Sequence, residues 1–213
     1  MEQGRFISIE GGEGAGKSTQ IQALSQKLDS LGLAVKCTRE PGGSAGAEEI
    51  RRLLVEGLAG RWDATSEALL VLAARRDHLT KTVWPAMEEG TWVICDRFLD
   101  STYAYQGYGH GLPLDSLDQL HAFTLGAFRP DLTILIDLPI EDGLRRAHSR
   151  QDRETRFESL ERAFHERVRH GFLERAQQDP ARFIVLDGSQ SLEQVSDQMI
   201  QAVLSRFELF VEE

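Results

Sequence analysis

Residues Phe6-Ile7-Ser8-Ile9 lead through Glu10 into Gly11-Gly12-Glu13-Gly14-Ala15-Gly16-Lys17-Ser18-Thr19, and this stretch decides the fold. An apolar run, then G-x-x-x-x-G-K-[ST], then an amphipathic segment is the strand–loop–helix order of a phosphate-binding loop. The glycines let the backbone curl so that successive N–H groups point inward at an anion. A helix starting near Lys17 adds its positive dipole end and its unpaired N–H groups. Lys17 has the reach to meet the outer phosphates of a nucleoside triphosphate, and the Ser18 hydroxyl suits Mg²⁺. The expected ligand cradle is therefore Gly11 through Thr19.

Outward from this loop, short apolar runs alternate with helical patterns, which predicts βαβ units and a parallel sheet. Strands are expected over 5–9, 34–38, 92–95, 132–137 and 183–187, with enough apolar content to be covered on both faces. Helices are expected near 17–31, 47–57, 64–89, 114–127, 140–149, 157–178 and 191–207. The third carries Leu69, Leu70, Leu72, Leu79 and Val83 as a stripe read as core, and Pro85 late in it is placed to kink or end it.

The chain has 213 residues, 41% hydrophobic and 27% charged, the composition of an ordinary globular protein. A single domain over 1–213 is the simplest reading. A net charge of −10 argues against nucleic-acid or anionic-membrane partners, which want a basic surface. No apolar run reaches the ~18 residues of a spanning helix, and Met1-Glu2-Gln3-Gly4-Arg5 has no apolar signal core. Cys37 and Cys95 sit in separate runs read as buried strands, so two free thiols in a reducing cytoplasm are expected.

In open α/β sheets ligands gather at the carboxyl ends of the strands, and the polar clusters of this chain fall there. The second strand ends in Arg39-Glu40-Pro41-Gly42-Gly43, and Arg39 emerges where a ligand would lie. The third ends in Asp96-Arg97: a carboxylate to support Mg²⁺, directly or through water, beside a guanidinium suited to a phosphate. The run Ser101-Thr102-Tyr103-Ala104-Tyr105-Gln106-Gly107-Tyr108-Gly109 reads as a loop whose aromatic, hydroxyl and amide groups suit a planar base. Arg145 and Arg146 read as a solvated helix face. Polar residues 148–155 resemble a mobile lid, and Arg150, Arg153 or Arg156 would bring a cation onto a migrating phosphoryl group.

With these residues assembled, the chain resembles the bacterial thymidylate kinases, which phosphorylate dTMP to dTDP with ATP. Glu10 through Ser18 is similar to the family's P-loop, Thr38-Arg39-Glu40-Pro41-Gly42-Gly43 to its TREPGG block, and Asp96-Arg97-Phe98 with Ser101 and Ala104-Tyr105-Gln106-Gly107 to its DR(Y/F)…S…AYQG run. Arg129-Pro130-Asp131-Leu132-Thr133 through Asp137 resembles its RPDLT…D strand. The fold implied is α/β, the three-layer P-loop NTPase arrangement: a five-stranded parallel sheet flanked by helices, with a small lid near 148–157.

The resemblance implies the roles residue by residue. Lys17 and Ser18 serve ATP and Mg²⁺, and Asp96 supports the metal. Arg39 and Arg97 clamp the dTMP phosphate, and Glu13 approaches the sugar 3′-hydroxyl. Arg76 bonds the thymine edge, while Ser101 and Gln106 help read the base. Leu72 stands where the family has a base-stacking Phe, so Leu72 itself, Tyr103 or Tyr105 is expected to cover the ring. The P-loop lacks the Arg of eukaryotic relatives, which points to the lid for that cation: Arg153 first, with Arg150 and Arg156 as alternatives. A homodimer is also implied. The alternatives on the same scaffold are a kinase for another nucleoside monophosphate or a deoxynucleoside, and a nucleotide-binding switch without transfer chemistry. Arg39 beside Arg97 favours a phosphorylated acceptor, because a neutral nucleoside needs no such pair.

Overall fold

Five parallel strands form the sheet of this computed structural model, which describes residues 3–57, 60–148 and 160–209. They are β1 (Phe6–Glu10), β2 (Val35–Arg39), β3 (Trp92–Asp96), β4 (Leu132–Asp137) and β5 (Phe183–Asp187), in the order β2-β3-β1-β4-β5. The chain leaves β1, skips a place to lay down β2, then fills the gap with β3 before crossing to β4. That reversal beside β1 opens a crevice at the carboxyl ends. Register sets its floor level: Ile9 pairs with Asp96, and Asp96 with Arg39.

Alternate side chains along each strand supply two faces. Ile7, Ile9, Ile94, Ile134 and Ile136 pack under α1 (Lys17–Ser30) and α9 (Leu192–Arg206). Phe6, Val93, Cys95 and Phe98 meet the other helical layer, which includes α4 (Trp84–Glu88), α5 (Leu99–Thr102) and α6 (Leu114–Leu125). On that layer lie also α2 (Ala45–Val55), α3 (Ala64–His78) and α8 (Arg162–Gln178), while α7 (Ile140–His148) follows β4. The expected three-layer α/β architecture is present.

Several local expectations change. Both β2 and β5 are edge strands and only partly covered, so Cys37 is exposed whereas Cys95 is buried. The long helix expected over 64–89 is α3, a widened π-helical turn over Leu79–Val83, and α4. Pro85, which has no N–H to donate, sits in the first turn of α4, where none is needed. The stripe facing the core is Ala68, Val71, Leu72, Arg75 and Leu79; Leu69, expected inside, is half exposed.

The aromatic run near 101–109 is helical rather than a loop: α5 continues into a widened π-helical segment, Tyr103–Gly109. Tyr103, Ala104 and Tyr105 are buried, and that burial outweighs the loop signal of the two glycines. Gly109 allows the close approach of α8, because a Cβ there would lie 2.6 Å from the Phe164 ring. Arg150, Arg153 and Arg156, with most of the expected lid, lie outside the described residues.

Candidate active site

The phosphate-binding loop is held from below by backbone packing. Gly14 (φ 68°) and Gly143 of α7 pass so closely that a Cβ on Gly14 would lie 2.1 Å from the Gly143 carbonyl oxygen. Conversely, a Cβ on Gly143 would lie 2.5 Å from the carbonyl oxygen of Glu13. Only glycine fits on either side. Gly16, left-handed at φ 85°, caps α1 without a side-chain acceptor, so the first N–H groups of the helix stay open to an anion. Lys17 folds back over the loop, its Nζ donating to the carbonyls of Gly12 (3.1 Å) and Gly11 (3.3 Å). Burial and then the Arg97 charge lower its pKa, with Asp96, Glu13 and Glu10 opposing them. An incoming phosphate would remove that destabilisation of the ammonium.

Ser18 shares an open cleft with Asp96, Thr38 and Arg39. The Oδ1 of Asp96 is buried with no hydrogen-bond partner among the described residues. A buried orphan acceptor beside a hydroxyl, next to a triphosphate cradle, is chemistry that fits Mg²⁺. No group of three or more His, Cys, Asp or Glu that could hold a metal occurs among the described residues.

A second cavity begins at the loop and runs inward, with about 730 Å³ of empty space, part of it open to solvent. That size is in the range of small-molecule sites. Glu13, Glu40, Arg51, Arg75 and Arg97 supply its charged lining, Pro41, Leu54, Val55, Val71 and Phe98 its apolar walls, and Ser101, Thr102, Tyr105 and Gln106 its polar remainder. Arg97, strained at φ 69°, donates through Nη1 to the Gly11 carbonyl (3.0 Å) and Ser101 Oγ (3.3 Å), and through Nη2 to Glu13 Oε1 (3.0 Å). Tyr105 donates to the same Glu13 oxygen at 2.7 Å, and the Arg97 guanidinium stacks over its ring.

Two carboxylates at this end are driven apart. Burial alone would raise Glu13, but Arg97, Lys17 and the Tyr105 hydrogen bond outweigh it and bring it down to about 2. Burial, then the Asp100 charge, pushes Glu10 up to about 7 against the pull of Ser101, Arg97 and the Phe98 N–H. Glu10 accepts from the Phe98 N–H (2.8 Å) and from Ser101 Oγ (2.6 Å), so it fixes the segment that carries Arg97.

The structure separates some of the expected site residues. Lys17, Ser18 and Asp96 gather at the loop, and Glu13, Arg97, Ser101, Tyr105 and Gln106 line the inner cavity. Arg76 does not: it donates to the Thr124 carbonyl at 3.1 Å and covers the Trp84 ring. Its neighbour Arg75 is the cavity arginine, and Val71, not Leu72, is the wall residue. The motif match was one residue out of step with the helix. Val71, Arg75 and Leu79 recur every four residues on the buried face, whereas Arg76, one position on, is exposed. Tyr103 also faces away, donating to Asp118. Arg39 lies in the Ser18–Asp96 cleft and pairs with Glu48 at 3.3 Å rather than lining the inner cavity.

Sequence reasoning passed over Arg51, which lines the cavity and donates to the Pro41 carbonyl at 2.7 Å. It also passed over the charge layer behind Arg75. That guanidinium donates to Glu40 (2.5 Å), Thr102 (2.9 Å), the Phe98 carbonyl (3.0 Å) and His121 Nε2 (3.2 Å). Burial and the Arg75 charge push His121 down to about 2, so it is neutral and able to accept. His78 contacts the other Glu40 oxygen at 3.0 Å.

Comparison with known proteins bears on this pair of pockets. The family model described as thymidylate kinase matches residues 9–199. A thymidylate kinase of Rhizorhabdus wittichii is 50% identical over 94% of this chain and 97% of its own length. One of Caulobacter vibrioides is 50% identical over 98% of this chain and 100% of its own. The crystal structure of the Ehrlichia chaffeensis thymidylate kinase superposes with a TM-score of 0.75 at 34% identity, covering 94% of this chain and 99% of that one. Identity of this extent spans the phosphate loop, the inner cavity and the sheet that joins them, so the chain belongs to the thymidylate kinase family.

Proposed function

We propose that this enzyme transfers the γ-phosphoryl group of ATP to dTMP, giving dTDP and ADP, with ATP on the loop and dTMP in the inner cavity. The observation that carries the reading is Arg97: it lines the inner cavity and bonds the loop at both Gly11 and Glu13, so it stands where the two pockets meet. An oxygen of the dTMP phosphate attacks the γ-phosphorus, the bond from that phosphorus to the β–γ bridging oxygen breaks, and ADP leaves. The attacking oxygen is already ionised at neutral pH, so the chain need only align it and neutralise charge. Lys17 and the open N–H groups of α1 hold the donor phosphates, and Arg97 holds the acceptor phosphate. Ser18 and Asp96 are the residues that would hold Mg²⁺, which when bound spreads the negative charge of the donor phosphates. Arg75 and Gln106 supply polar groups at the base, and Val71 and Phe98 its apolar cover.

Phosphate at Arg97 favours a monophosphate over a nucleoside acceptor. A coupled assay of ADP release against nucleoside monophosphates and nucleosides tests this: dTMP is the preferred acceptor. Preference for thymidine, or slow hydrolysis indifferent to acceptor, would sink the reading.

We read the enzyme as a cytoplasmic homodimer. Phe123 of α6 is 90% exposed, and Leu69 of α3 and Leu53 of α2 are about half exposed, on helices that pack side by side. A second copy on this face would cover them. Sedimentation should give a dimer for the parent protein and a monomer for Phe123→Asp.

A further inference from the structure

Glu67 is a carboxylate with 1% exposure in the first turn of α3, and none of the roles above uses it. Its Oε1 accepts from Gln106 Nε2 at 2.8 Å, and His110 Nε2 lies 3.3 Å from the same oxygen. Burying a carboxylate is costly unless it is hydrogen-bonded, so its position calls for a reason. Gln106 is itself buried at 3% exposure and lines the inner cavity.

The two ends of a glutamine amide differ only in whether they donate or accept, and a free amide flips between them. A carboxylate offers acceptors only, so the Gln106 atom facing Glu67 has to be its NH₂ group. The carbonyl Oε1 is thereby left as the open acceptor. We infer that Glu67 is a specificity-determining positioning residue: it locks the Gln106 amide so that its carbonyl selects a pyrimidine carrying an N3–H donor. Thymine and uracil have that hydrogen. Cytosine has a lone pair at N3 and would face the carbonyl acceptor to acceptor. A site built to pair with a donor rejects the analogue lacking it far more strongly than an apolar pocket rejects a change of size.

This inference rests on dTMP occupying the inner cavity and adds the reason for its choice of base. Calorimetric binding of dTMP and dCMP to the wild type, Glu67→Gln and Gln106→Leu tests it. An amide at position 67 both donates and accepts, so it no longer dictates the flip. In Glu67→Gln the ratio of the dCMP to the dTMP dissociation constant is expected to fall by about tenfold or more, one lost hydrogen-bond preference. Gln106→Leu should lower the ratio as far, and combining the two should lower it no further, because both act through one amide. ATP affinity in the absence of dTMP or dCMP is expected to stay within about twofold in both variants. An unchanged ratio in a folded Glu67→Gln protein overturns the proposal. Should that variant not fold, an unchanged ratio in Gln106→Leu overturns it equally. Failure of the wild type to bind dTMP would instead refute the parent reading of the cavity.

Discussion

Arg75 and Arg76 carry the same side chain one position apart, and the helix assigns them opposite fates. Arg75 is 1% exposed and bonded to Glu40, Thr102, His121 and Phe98, whereas Arg76 bridges to α6 at the surface. Removing Arg75 leaves the Glu40 carboxylate buried without its guanidinium. Arg75→Ala should therefore cost about 3–5 kcal/mol in denaturant unfolding, while Arg76→Ala should stay within about 1 kcal/mol. Turnover of dTMP should be little changed by Arg76→Ala; equal losses at the two positions would contradict the assignment. Arg97→Ala should weaken dTMP binding by tenfold or more, about the 1.5–3 kcal/mol of a charge-assisted bond, with ATP binding largely kept. Calorimetry showing the reverse would exchange the pockets. The pair Glu10 and Glu13 gives opposite pH dependences. Glu13, lowered to about 2 from 4.5, contributes stability that is complete above pH 4.5 and drains as pH falls toward about 2. Glu10, raised to about 7, takes up its proton on folding, so its contribution declines as pH rises from 4.5 through about 7. Melting curves of Glu13→Gln and Glu10→Gln against the parent should diverge in those two windows with opposite slopes.

At the scale of elements, the contact of the phosphate loop with α7 through Gly14 and Gly143 has a direct consequence. Gly143→Ala places a methyl 2.5 Å from the Glu13 carbonyl oxygen, so loop and helix must separate. Overpacking of this kind costs about 1–3 kcal/mol, and the shift of Glu13 should also raise the KM for dTMP. A variant with unaltered melting temperature and KM would mean the contact is slack. All five strands were legible in the sequence because each is a short apolar run between turn signals, and the loop because its glycine spacing is dictated by phosphate geometry. The run Ser101–Gly109 reads as a loop in the sequence, since two glycines and several polar groups mask a helix stabilised by burial against α8. The slip from Arg75 to Arg76 has a similar origin: motif letters do not say which face of α3 is inside. Ala68, Val71 and Leu79 do, through their spacing.

For the molecule as a whole, the sheet order brings β1 and β3 side by side, so that Gly11 of the donor loop and Arg97 of the acceptor cavity meet at one edge although 86 residues separate them in the chain. Despite a net charge of −10, Lys17, Arg51, Arg75 and Arg97 collect along that edge, interleaved with Glu13, Glu40 and Asp96. The buried carboxylates Glu40, Glu67 and Asp100 were not legible, because a carboxylate in a sequence reads as surface until packing shows it inside. The most direct test of the account is a crystal structure with ADP and dTMP bound together. It should show the dTMP phosphate on Arg97 with the pyrimidine between Val71 and Phe98, its N3 within hydrogen-bond distance of the Gln106 carbonyl. A dTMP molecule found in the Ser18–Asp96 cleft, with the inner cavity free of nucleotide, would contradict it.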